Sequence, residues 1–163
     1  MDFGGVAPSI KKIKSRQDAI TLQDFCDTNC TPSYRAPELY NIPNEIDIDQ
    51  RSDVWSLGCI LFALCFLEGP FDNVERSGSV ALAVSSGTIP FPPNAEQICS
   101  MKLMQIIQTL LIVDAKKRPF VSDTLKLLDQ WNDEQILFVP GFFFFVVLQM
   151  NECIVTRRSN KSI

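Results

Sequence analysis

The sequence has no histidine at any of its 163 positions. Imidazole is the base of Ser-His-Asp and Cys-His catalysis, a common metal ligand and the side chain that titrates nearest neutrality. All three kinds of chemistry are therefore excluded in their histidine-dependent forms. Positive charge is not in excess either: 15 Lys and Arg stand against 19 Asp and Glu, for a net charge of -4. Such a chain has little with which to displace counterions from a phosphate backbone, so no nucleic-acid partner is expected. The six cysteines, Cys26, Cys30, Cys59, Cys65, Cys99 and Cys153, include no Cys-x-x-Cys pair. They read as reduced, mostly buried small side chains rather than a zinc site or a disulfide framework, which points to an intracellular, cytoplasmic setting. The opening residues Met1-Asp2-Phe3-Gly4 show neither a basic start leading into an apolar core nor the Met-Gly start of an acylation signal, so no secretory or lipid address is expected there. What remains, 46% hydrophobic and 21% charged residues, is an ordinary globular composition of one-domain size.

Residues 5 to 34 are polar and irregular and read as a long ordered loop with one helix, marked by the stripe Ala19, Leu22 and Cys26. A brief alternation of apolar and acidic residues from Ile46 leads into Val54 to Leu67, an uncharged run between Asp53 and Glu68 whose apolar residues keep to no single face. About 14 helical residues rise roughly 21 Å, short of a ~30 Å hydrocarbon slab, so the run predicts a buried central helix. Ser52 or Asp53 is its expected cap and Gly69-Pro70 its stop. A short helix over Val80 to Val84 ended by Gly87 and a proline-fixed linker over Ile89 to Pro93 follow. Two amphipathic helices come next. The first spans Ala95 to Val113, with Ile98, Met101, Met104, Ile107 and Leu111 on its apolar face; the second spans Ser122 to Asn132, with Leu125, Leu128 and Trp131. The charged turn Asp114 to Pro119 separates them. There is no run of strands with turn signals and no internal repeat, so the expected class is mainly α.

The chain changes character at Ile136. Ile136 to Gly141 leads into four phenylalanines, Phe142 to Phe145, and then Val146-Val147-Leu148. Three readings stay open. One is a hydrophobic strand or hairpin turned at Pro140-Gly141, and another is a membrane anchor flanked by Arg157 and Arg158. The third is translation beyond the natural boundary of the protein. Exposed, such a run favours aggregation.

Four motifs occur in chain order: Asp2-Phe3-Gly4, Ala36-Pro37-Glu38 within Cys30 to Glu38, Asp53-Val54-Trp55-Ser56-Leu57-Gly58, and Arg118-Pro119. Three residues recur by accident, but four motifs with these separations are specific. In them the chain resembles the C-terminal lobe of a eukaryotic serine/threonine protein kinase over residues 1 to 133, with residues 134 to 163 a hydrophobic and basic tail outside it. Thr21-Leu22-Gln23-Asp24, Cys30-Thr31 with Ser33-Tyr34-Arg35, and Ser79 to Val84 are similar to the Numb-associated kinases, in their myristoylated and palmitoylated serine/threonine branch.

The resemblance implies roles. Asp2 is the expected ligand of the Mg2+ that bridges ATP phosphates, and Phe3 and Gly4 set the hinge of the activation segment. Thr31, Tyr34 and Arg35 are expected in the wall that receives the substrate residue beside the phosphorylated hydroxyl. Ala36, Pro37, Glu38, Asp53, Trp55, Gly58 and Arg118 are expected to be structural, with Glu38 and Arg118 as a buried ion pair. Asp53 would accept hydrogen bonds from catalytic-loop backbone, or else serve as an ordinary helix cap. A working kinase also needs a glycine-rich loop, a strand lysine and a His-Arg-Asp loop, and the 163 residues hold none of them. The expectation is a partial domain, N-lobe and catalytic loop absent, that is inactive by itself. Protein substrates or a kinase-binding partner are its expected company, with ATP and Mg2+ bound tightly only by the longer kinase and membrane contact through the tail. The apolar central helix is also expected to expose faces that those parts would cover, making the chain marginally stable.

Overall fold

In the computed structural model residues 10–75 and 78–129 are described. Asp2, Phe3, Gly4, Trp131 and the tail from residue 134 lie outside the described residues. Ile46-Asp47-Ile48-Asp49 has the period-two alternation of a half-buried strand and forms β2, Ile46–Asp49. It pairs antiparallel with β1, Ile10–Ile13, in a register that sets Ile10 opposite Asp49 and Ile13 opposite Ile46. β1 replaces part of the expected loop. Ile10-Lys11-Lys12-Ile13 does not alternate, and its partner lies far along the chain, where no local window reaches.

The expected helix of this region is α1, Arg16–Asn29, begun by Ser15, whose hydroxyl oxygen accepts the Asp18 N–H at 3.1 Å. It buries Ala19, Leu22 and Cys26, the stripe read from the sequence. With Ile13 and Ile42 they form a small core, against which Phe25, Cys30, Leu39, Ile46 and Ile48 pack.

The uncharged run lies in α2, Arg51–Phe66, which buries Val54, Trp55, Leu57, Gly58, Cys59, Leu61 and Phe62. Both of its ends differ from expectation. Gln50 occupies the cap position without a side-chain bond, and the Asp49 carboxylate one residue earlier accepts the Arg51 N–H at 2.9 Å. Ser52 and Asp53 are thus already inside the first turn. The helix stops at Leu67, ahead of Gly69-Pro70, because Leu67 turns left-handed at φ 61° while its N–H closes on the Ala63 carbonyl. A leucine rarely takes that conformation, so the sequence carries no warning of it. Of its residues Asp53 and Ile60 are exposed and Ala63, Leu64, Cys65 and Phe66 are half-buried, while the 32–34 turn and the later helices pack around the rest.

After Gly69-Pro70 the buried Phe71 ring stacks on Trp55, centroids 6.0 Å apart and nearly parallel, at the head of the one-turn α3, Asp72–Glu75. The short helix α4, Val80–Ser86, runs from Ser79 to Gly87 at φ 70°, as its cap residues predict. The long amphipathic helix expected over Ala95 to Val113 is in fact two: α5, Ala95–Ile98, and α6, Met101–Leu110. Cys99 between them is extended, and the Ser100 hydroxyl caps α6 by accepting the Leu103 N–H. The restart changes the buried face to Leu103, Ile106, Ile107 and Leu110, leaving Ile98 at 49% and Met101 at 53% exposure. The last described helix, α7, Val121–Asp129, buries Val121, Thr124 and Leu128.

Helix α2 packs chiefly on α6, and Gly58 permits the approach. A Cβ on Gly58 would lie 2.8 Å from Leu111 and 3.0 Å from Leu110. Gly58→Ala is therefore expected to lower stability by roughly 1–3 kcal/mol through overpacking. Leu67, 94% exposed and left-handed, gives the opposite case: Leu67→Gly is expected to raise stability by about 1 kcal/mol. Urea midpoints of the two variants, moving in opposite directions from the parent, check both.

Candidate functional site

Two prolines organise the segment that the sequence motifs single out. Pro32 and Pro37 each open a single 3-10 turn, Pro32–Tyr34 and Pro37–Leu39, because their fixed φ suits a first helical position and their missing N–H leaves no donor stranded. Thr31 and Pro32 face solvent, whereas Ser33, Arg35 and Ala36 are buried. The backbone between them is tied from behind. Ser56 of α2 donates its hydroxyl to the Tyr34 carbonyl at 3.0 Å, and the Tyr40 hydroxyl donates to the Pro32 carbonyl. Arg35 reaches back to α1, pairing with Asp27 and donating to the Cys26 and Cys30 carbonyls at 2.9 and 3.2 Å, with its guanidinium 5.2 Å from the centre of the Tyr40 ring.

The other end of the segment is held by Glu38. Its two carboxylate oxygens accept parallel hydrogen bonds from Nη1 and Nη2 of Arg118, each at 3.0 Å, across 80 residues of chain. The Arg118 side chain is fully buried and that of Glu38 is 10% exposed. The remaining guanidinium donors are also engaged: Nε with the Ile112 carbonyl at 2.9 Å, Nη1 with that of Arg51 at 2.6 Å and Nη2 with that of Val113 at 3.3 Å. The cation stands 5.1 Å from the Trp55 ring centre, and Ser52 adds a hydrogen bond to Glu38 Oε1 at 2.9 Å. Beside this pair Arg51 forks onto Asp49 and lies 4.7 Å from the Phe120 ring. Burial pushes the Asp49 carboxyl up, but the Arg51 hydrogen bonds and the Arg51 and Arg118 charges outweigh it and hold the group below its ordinary value.

The structure thus places Tyr34, Arg35, Ala36, Pro37, Glu38, Trp55, Gly58 and Arg118 in one connected region, with Thr31 on its surface. Asp53 sits exposed on the first turn of α2, where the helix dipole favours an anion. Ser52, Ser56, Asp27 and the Arg51–Asp49 fork complete the region; the sequence offers Ser52 as a helix cap and Ser56 within a motif, whereas here their hydroxyls bond Glu38 and the Tyr34 carbonyl. Only Asp49-x-Arg51 carried a local signal of its bonding, a carboxylate and a guanidinium two residues apart ahead of a helix. Among the described residues no three His, Cys, Asp or Glu side chains converge to hold a metal ion. Chemically, this arrangement fixes backbone in place.

A profile described as protein kinase domain matches residues 1–128. The chain belongs to the protein kinase family. It is 41% identical over 133 residues to a probable serine/threonine-protein kinase of Dictyostelium discoideum, covering 80% of this chain and 36% of that protein. It is likewise 41% identical over 131 residues to serine/threonine-protein kinase 16 of Homo sapiens, covering 79% and 42%, and 33% identical over 129 residues to the serine/threonine-protein kinase ppk13 of Schizosaccharomyces pombe, covering 78% and 37%. The chain thus spans well under half the length of these curated relatives and holds a fragment of the kinase domain, mostly helical as the sequence predicts.

Arg118→Ala or Glu38→Ala in this kinase fragment leaves a buried charge without its partner and is expected to lower stability by about 3–5 kcal/mol. The double change Glu38→Leu with Arg118→Met should recover most of that loss in urea unfolding, since an apolar pair needs no desolvation. Asp49 sets a pH dependence. A carboxyl whose folded pKa is depressed contributes stability that is complete above its unfolded value, about 3.9, and that fades as pH falls through the folded value. Asp49→Asn should therefore be less stable than the parent at pH 7, and the difference should shrink in acid titrations below about pH 4.

Proposed function

We propose that these residues are the substrate-facing segment and helical subdomain of a kinase that transfers the terminal phosphoryl group of ATP to serine or threonine in proteins. The observation that carries this reading is the saturated Glu38–Arg118 pair, which fixes the segment bearing Thr31 on the helical subdomain. The serine/threonine kinases among its relatives support it. Within that family we assign the chain to the Numb-associated kinases, in their myristoylated and palmitoylated branch, on Thr21 to Asp24, Cys30-Thr31, Ser33 to Arg35 and Ser79 to Val84.

Protein kinases as a family use ATP and Mg2+, the metal offsetting charge on the transferring phosphoryl group. Asp2 is the residue that would hold it, and it lies outside the described residues. The work assigned to this chain is orientation. The exposed Thr31-Pro32 surface receives the residue next to the acceptor hydroxyl, and Ser56, Arg35 and Glu38 keep the backbone beneath it from moving. Positioning of this kind is a large part of phosphoryl transfer, but the acceptor hydroxyl also needs its base and the phosphates their cradle. Without a histidine for a His-Arg-Asp loop, and without a phosphate-cradling glycine loop, the 163 residues alone are proposed to be inactive. Protein substrates are the proposed partners. Free thiols at Cys26, Cys30, Cys59, Cys65 and Cys99 favour an intracellular, cytoplasmic location, and membrane association through the tail is the lesser option. The second reading, a module that competes for kinase partners without catalysis, is favoured by the substrate-facing loop being held entirely by groups within the described residues.

Incubation of the purified chain with Mg2+, γ-labelled ATP and a protein acceptor is expected to give no labelling above the blank. Labelling that vanishes in the Asp2→Ala chain overturns the inactivity. Recovery of a stoichiometric kinase substrate on the immobilised chain, lost in Arg118→Ala, supports the second reading.

A further inference from the structure

Cys26 and Cys30 stand one turn apart at the C-terminal end of α1, where the Cys30 N–H donates to the Cys26 carbonyl at 2.9 Å. Cys30 is the extended residue that closes the helix rather than part of its regular face, and four residues of rise, about 6 Å, fall in the Cα separation that a disulfide spans. Both turn toward the same small core: Cys26 belongs to it and Cys30 packs against it. Their accessibility differs, with Cys26 only 3% exposed and Cys30 half-buried. Burial, and then the neighbouring Cys30, push the Cys26 thiol up to about 11. The Arg35 guanidinium grips the carbonyl oxygens of both residues, and Thr31 follows directly. The other described thiols lack this combination. Cys59 is buried, and burial pushes the Cys65 thiol, which neighbours Cys99, up to about 12.

We propose that Cys26 and Cys30 form a thiol–disulfide exchange site for low-molecular-weight disulfides of the glutathione class, and that the oxidised pair fixes the exit of α1 into the Thr31–Arg35 loop. The site goes beyond the kinase reading and does not rest on it. In the first step Cys30 gives up its proton and its sulfur attacks one sulfur of the small disulfide. That S–S bond breaks, a mixed disulfide forms at Cys30, and the departing small thiolate takes the proton. In the second step Cys26 gives up its proton and attacks the Cys30 sulfur. The mixed disulfide breaks and the second small thiolate takes that proton. Two protein thiols are oxidised and one small disulfide is reduced to two thiols. The order follows from access: the half-buried Cys30 meets the reagent, and Cys26 stays a thiol until its neighbour is charged with it.

The test uses the full chain incubated with oxidised glutathione, alkylated and cut with trypsin, which leaves both cysteines in the single peptide Gln17–Arg35. That peptide is expected to lose the mass of two hydrogens, reversibly with dithiothreitol, while Cys59, Cys65 and Cys99 are recovered alkylated. Cys26→Ser should instead retain glutathione on Cys30, and Cys30→Ser should leave Cys26 free. Glutathione retained at Cys30 in the parent as fully as in Cys26→Ser overturns the proposal. The parent chain in urea guards against a variant that does not fold: there all cysteines should react alike, and a preference for Cys26–Cys30 that survives urea shows that the fold does not create the site. Amide exchange at Tyr34 and Arg35 should slow on oxidation, and unchanged exchange removes the claim on the loop.

Discussion

A guanidinium taken wholly out of water must find an acceptor for its donors or lose several kcal/mol, and Arg118 finds five acceptor contacts at one place. Two are the oxygens of Glu38. The others are carbonyls at Arg51, before the body of α2, and at Ile112 and Val113, where the chain leaves α6. These groups come together in one arrangement of four segments only. The pair adds little net stability, because the desolvation of both ions offsets their attraction, but any other docking of the 31–40 segment would strand a buried charge. It therefore acts as a register pin, and the Trp55–Phe71 stack beneath it supplies the apolar burial that makes the docked state favourable.

The helices were readable where local chemistry alone decides them. Ser15, Ser79 and Gly87 cap as their types predict, and Ala19, Leu22 and Cys26 mark the inner face of α1. Expectation fails where tertiary contacts override local preference. The apolar spacing over 95–113 fits one continuous helix, yet Ser100 satisfies a fresh N-terminus and the α6 side chains rotate to meet α2. Leu67 takes a conformation that its own sterics oppose, and β1 exists only because β2 is there to pair with it.

The site was legible to a different degree. The order of short motifs located Glu38 and Arg118, which no periodicity could have joined across 80 residues. The groups that finish the site, Ser52, Ser56 and Asp27, are residues of unremarkable type whose hydroxyls and carboxylate matter only through what the fold brings opposite them. Helical phase does connect some of these afterwards: Ser52 and Ser56 are four apart on α2, on the face turned toward the 34–38 backbone.

The segment between its two anchors is held unevenly, and this bears on how it can be regulated. At Glu38 the cation is fully buried and the carboxylate only 10% exposed, so the pair is largely shielded from water and salt. At Arg35 the cation is buried but its partner Asp27 is 55% exposed on the side chain, so that ion pair is screened and contributes far less. Arg35 also has a buried Nε without an acceptor among the described residues, so its fit is incomplete. A perturbation of a given size will therefore move the Thr31 end of the loop before it moves the Glu38 end. Chemistry at the last turn of α1, where Arg35 rests on the Cys26 and Cys30 carbonyls, acts on the weaker anchor and leaves the helical subdomain in place.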